Sequence, residues 1–77
     1  MRQQTSLERS IRIAEIRSVA KKAVFDLGEC DDYRIMFCAS AGGRISNMAI
    51  TLEDLGDLDL IQLYEWIVVE GRFDIYG

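Results

Sequence analysis

The 77 residues include no histidine, no proline, two cysteines and one tryptophan. Without histidine the chain lacks the side chain that ordinarily titrates near neutral pH, so the commonest general base is missing. Without proline there is no rigid linker or turn. Two cysteines, Cys30 and Cys38, are too few for the disulfide framework of a small secreted domain. Seven residues separate them, which matches no zinc spacing. No stretch approaches the ~20 apolar residues of a membrane span. The opening MRQQTSLERS has no apolar run and does not read as a signal peptide. These shortages point to a cytoplasmic chain that uses no membrane, metal or cofactor.

What is present is globular in composition, with 49% hydrophobic and 29% charged residues. The length allows one domain over residues 1–77, with residues 1–5 flexible ahead of it. A chain this short buries only about 60% of the surface it exposes when unfolded, so covering more of it with a second copy is an economical remedy. A homodimer is therefore expected. The net charge of −4 is unevenly placed. Residues 1–25 carry six Lys or Arg against two acids, and residues 26–77 carry three against eleven. The plainest account is a basic helix lying beside acidic loops of its own fold.

Thr5-Ser6-Leu7-Glu8 is a capping box, and Ile13, Ile16, Ala20, Ala23, Val24 and Leu27 follow on one helical stripe. This predicts a helix from Ser6 to Leu27, closed by Gly28. From Tyr33 to Ser40 the residues alternate, Ala41-Gly42-Gly43 supplies turn glycines, and Arg44 to Leu52 reads as a return strand. Thr51 to Asp54 forms a second capping box, enough for a single turn. A last helix begins with Asp57 or Asp59 as its cap and runs to about Glu70, with Leu60, Leu63, Tyr64, Ile67 and Val68 as its core stripe and Gly71 as its stop. Arg72 to Tyr76 alternates again and offers a short third strand. The expected fold is α+β: helix, β-hairpin, helix.

Chemistry finds little purchase. Cys30 lies between Glu29 and Asp31, which oppose thiolate formation, and Cys38 falls mid-strand as a small apolar residue. Asp57-Leu58-Asp59 begins like a calcium loop, but Ile61 and Gln62 stand where a ligand and glycine are required. Ala41-Gly42-Gly43-Arg44 lacks the Lys-Ser/Thr and helix of a phosphate loop. No catalytic, metal or cofactor site is assigned, and the chain is not expected to be an enzyme.

Two groups of residues suggest binding. Trp66 and Val69 fall off the core stripe of the last helix beside Gln62, and Ile11, Ala14 and Phe25 fall opposite the core stripe of the first. They suggest a protein-binding module that occupies a partner surface as an inhibitor, adaptor or assembly factor. In size and texture the chain is similar to short accessory proteins of phages and mobile elements. The alternative is a nucleic-acid-binding regulator using Arg12, Arg17, Lys21 and Lys22 on the first helix. The acidic half could also imitate nucleic acid.

Overall fold

The computed structural model describes residues 5–23 and 31–71. Helix α1 (Ser6–Ala23) starts where its capping box places it. The Glu8 amide donates to Thr5 Oγ1 (3.1 Å) and the Thr5 hydroxyl donates to Glu8 Oε1 (3.1 Å), satisfying one of the amides a helix start leaves open. Ile13, Ile16 and Ala20 turn inward and are buried. The expected continuation to Leu27 and Gly28 lies outside the described residues.

The segment expected to be the first hairpin strand is instead helix α2 (Asp32–Ala41). Asp31 caps it by accepting from the Arg34 amide (2.8 Å). Its fully buried residues are Ile35, Met36 and Ala39, a spacing that one helical face satisfies and an alternating strand does not. Arg, Met and Ala favour a helix here, and Ile35 is the only β-branched residue of the ten. The glycines expected to turn a hairpin end this helix. Gly43, at φ 71°, occupies the left-handed position, while its amide donates to the Ser40 carbonyl (3.1 Å) and that of Arg44 to the Ala39 carbonyl (2.7 Å). That pair of bonds is a Schellman closure.

The expected return strand, Arg44 to Leu52, is an irregular connection that ends in a single 3₁₀ turn over Leu52–Asp54. It still packs, because Ile45, Leu52 and Leu55 are buried. Carboxylates replace the missing ladder. Asp59 accepts from the amides of Ser46 (3.1 Å) and Asn47 (3.3 Å), and Asp32 accepts from that of Leu52 (3.0 Å). The described residues contain helices and no strand, so the α+β expectation is corrected to a helical fold. The third strand expected at Arg72 to Tyr76 lies outside the described residues.

Helix α3 (Asp57–Tyr64) is capped by Gly56 rather than by Asp57 or Asp59, which sit in its first turn. It continues as a π turn over Glu65–Val69, closed by the Glu70 amide on the Glu65 carbonyl (2.7 Å), and Gly71 ends it at φ 65°. Leu60, Leu63 and Ile67 are fully buried against α1, α2 and the connection. The first and last helices therefore pack together, and α2 with its connection completes the core.

Candidate interaction surfaces

The basic side chains of α1 reach the acidic half of the same chain. Arg9 donates to Asp57 and to the backbone carbonyls of Glu53 (3.2 Å) and Leu55 (2.6 Å). Arg17 grips Asp32 through two bonds (3.1 and 2.7 Å) and Glu53 through a third (2.8 Å). Arg12 pairs with Glu8 (3.7 Å) and lies over the Tyr64 ring, 5.9 Å from its centroid. Of the four cations proposed for nucleic acid, Arg12 and Arg17 are thus engaged within the fold, while Lys21 and Lys22 stand exposed in the last turn of α1.

Arg17 shifts its partners' titration. Its hydrogen bond holds the Asp32 carboxyl below the ordinary value of 3.8, against the opposing effect of burial, with the Leu52 amide adding to the depression. The same guanidinium holds Glu53 below its ordinary 4.5. In return the two carboxylates raise Arg17 further above its usual range. Depressed folded-state values stabilise the fold above the unfolded-state values, and that stabilisation disappears as pH falls through the folded ones. Wild type should therefore melt above Arg17→Gln at neutral pH, with the gap closing below about pH 4. Thermal denaturation of both chains across this range checks it; a gap independent of pH would mean that the ion pairs contribute nothing. The gap should also shrink with salt, because Glu53 is largely exposed.

The expected patch around Trp66 is not assembled. Trp66 is only 7% exposed and belongs to the core, with the Arg44 guanidinium 5.7 Å from its ring centroid. A projection along the helix places it at the edge of the stripe, and the connection after α2 covers that edge. Val69 and Gln62 remain at the surface. Gln62 borders a shallow recess of ≈ 290 Å³ with Gly43, Arg44, Ile61, Glu65 and Glu70. On α1, Ile11 and Ala14 are exposed as expected, and Leu7 joins them. Phe25 lies outside the described residues.

A surface the sequence did not suggest stands on α2. Tyr33 and Phe37, one helical turn apart, are 58% and 56% exposed. Their rings stack with centroids 6.4 Å apart and planes 25° from parallel. Reading the segment as a strand put both on a face with Ile35 and concealed the pair. The Asp31 cap, with helical spacing counted from it, would have revealed them.

Elsewhere the surface is plain. Among the described residues no three His, Cys, Asp or Glu gather where a metal could sit. No helix there is long and apolar enough to cross a membrane. Every described buried side-chain polar atom has a hydrogen-bond partner. The Tyr64 hydroxyl donates to Glu15 (3.1 Å), which raises its titration above 10.0. In comparisons with protein-family models, curated proteins and solved structures, the chain matches none.

Proposed function

We propose that this protein is a small, non-catalytic protein-binding module that acts by occupying a partner's surface. The observation that carries this is the stacked, solvent-facing pair of Tyr33 and Phe37 on α2. Each ring leaves apolar area in water at a cost of about 25 cal/mol per Å². Aromatic anchors of this kind recover that cost when a partner covers them, and they dominate binding energies. The pair is already ordered by its helix, so little side-chain freedom is lost on contact.

Catalysis is left out because the chain has no histidine and many of its described carboxylates, among them Asp31, Asp32, Asp57 and Asp59, serve caps, ion pairs and backbone amides. The engagement of Arg9, Arg12 and Arg17 by acids of the same chain favours a protein partner over nucleic acid. A cytoplasmic location accompanies this proposal on the strength of the low cysteine content.

The test compares tagged wild type with Tyr33→Ser/Phe37→Ser, using lysate of the source cells with and without nuclease. A defined protein held by wild type should be lost to the double variant and kept by Ile50→Ser, which alters an exposed apolar residue elsewhere. Helical content should be unchanged in both, since neither alteration touches the core. Equal capture by all three chains would remove α2 as the contact. Capture that vanishes on nuclease treatment would restore the nucleic-acid reading.

A further inference from the structure

Helix α1 presents another surface on the side away from the core. At 100° per residue, Leu7, Ile11, Ala14 and Ser18 fall within about 60° of one another, opposite Ile13, Ile16 and Ala20. Leu7 is 70% exposed and Ile11 51%, and Ala14 and Ser18 are exposed as well. One edge of this face carries Glu8, Glu15 and Lys22 at intervals of seven. Charge therefore changes sign along the edge, from Glu8 in the first turn to Lys22 in the last. The Tyr64 hydroxyl holds the middle carboxylate, Glu15, toward α3.

We propose that this face binds a second copy of the chain, with the two α1 helices antiparallel. Glu8 and Lys22 are fourteen residues apart, a rise of about 21 Å. A two-fold axis at the level of Glu15 brings each Glu8 against Lys22 of the other copy, so the complementary pair is made twice, while the two Glu15 carboxylates that approach there are each drawn aside by a Tyr64 hydroxyl. A parallel two-fold sets this edge against the opposite edge of the other helix, so Glu8 and Lys22 fall on opposite sides of the contact and cannot pair. The helix dipoles favour the antiparallel choice too. Ala14 and Ser18 fall near the crossing, where short side chains let the axes approach to about 8 Å. Leu7 then lies over the last turn of the other helix.

The contact is modest in size. Eighteen residues span about 27 Å, and a stripe about 10 Å wide covers roughly 270 Å² on each copy. Both copies together fall short of the roughly 1,200 Å² of stable complexes, so the dimer forms in the upper micromolar range and exchanges quickly. It uses a different surface from the aromatic pair of α2, so Tyr33→Ser/Phe37→Ser leaves it intact. The two proposals therefore fail separately.

Sedimentation equilibrium from about 50 µM to 1 mM tests it. The average mass of wild type should rise from the monomer's 8.8 kDa toward twice that value. Lys22→Glu alone should weaken association at least ~5-fold, because two carboxylates then meet where opposite charges did. Glu8→Lys should do the same by bringing two ammonium groups together. An equimolar mixture of the two variants should associate at least as well as wild type, since in the mixed dimer two carboxylates of one chain face two ammonium groups of the other. Circular dichroism follows Glu8→Lys, which also loses the cap; if that chain does not fold, Lys22→Glu and Ile11→Ser carry the test, and both should weaken association. A chain that stays monomeric at the highest concentration overturns the proposal, as does a dimer that Lys22→Glu leaves unchanged.

Discussion

Met36→Ala should lower the free energy of unfolding by about 2–4 kcal/mol, whereas Phe37→Ala should lower it by less than about 1. The two positions are neighbours in sequence and opposites in environment. Met36 is fully buried among the apolar residues of α1, α3 and the connection, so truncating it opens space the surroundings only partly refill. Phe37 loses chiefly its stacking on Tyr33 and some solvent-facing area. A domain of this length has roughly 4–11 kcal/mol of stability in all, so the first change removes a large share. Urea denaturation of both variants gives the comparison. Similar losses, or a larger loss at Phe37, would mean that this segment does not present Ile35, Met36 and Ala39 to the core and is not the helix described.

Arg9→Ala should cost about 2–3 kcal/mol, against about 1 or less for Arg17→Ala. Both arginines bind acids, and both lie on α1. The difference is in what each leaves behind. The Arg9 side chain is 19% exposed and serves two backbone carbonyls as well as Asp57, so its removal takes the charged donor from the partly buried carbonyl of Leu55. Arg17 is 44% exposed, and water can replace it at Asp32 and Glu53. Arg9→Lys should recover little of the loss, because a single ammonium does not span three acceptors as a guanidinium fork does. Thermal and urea denaturation of the three variants decide the matter. Equal costs at the two sites would show that Arg9 is an ordinary surface ion pair.

The helices whose cues lie within a few residues were legible in the sequence. Thr5 and Glu8 cap α1 through their own bonds, and Ile13, Ile16 and Ala20 are its buried stripe. Gly71 stops the last helix with a positive φ. The middle of the chain misled because Tyr33, Ile35, Phe37 and Ala39 alternate while Ile35, Met36 and Ala39 also satisfy a helical face, and short apolar runs support either period. The glycines at 42 and 43 fit a hairpin turn as well as a helix stop, and they did not decide between them. Asp31, whose side chain caps α2, was the informative residue. The aromatic pair was hidden by the same error, since Tyr33 and Phe37 adjoin only on a helix. Trp66 was misplaced for a different reason: whether a side chain at the margin of a stripe is covered depends on a distant loop, here the one that bears Arg44. The charge asymmetry does reflect a basic helix paired with acids of its own fold, but these stand in the first turns of α2 and α3 and in the 3₁₀ turn rather than in loops.

The span of the Arg9 bonds has a consequence for how the chain acquires its structure. Arg9 finds its carboxylate 48 positions along, and α1 packs chiefly on elements beyond residue 50. Helix α1 is thus synthesised before the elements it packs on most. Until α3 has left the ribosome, the α1 stripe has only α2 and the connection to cover it, and a helix in a protein owes most of its stability to the packing of its apolar face. Closing so long a loop comes before its contacts can repay the lost chain entropy, which slows folding relative to a bundle of neighbouring helices. A nascent chain halted before Asp57 would hold α1 without α3, the helix it packs on most, and without the carboxylate that Arg9 binds.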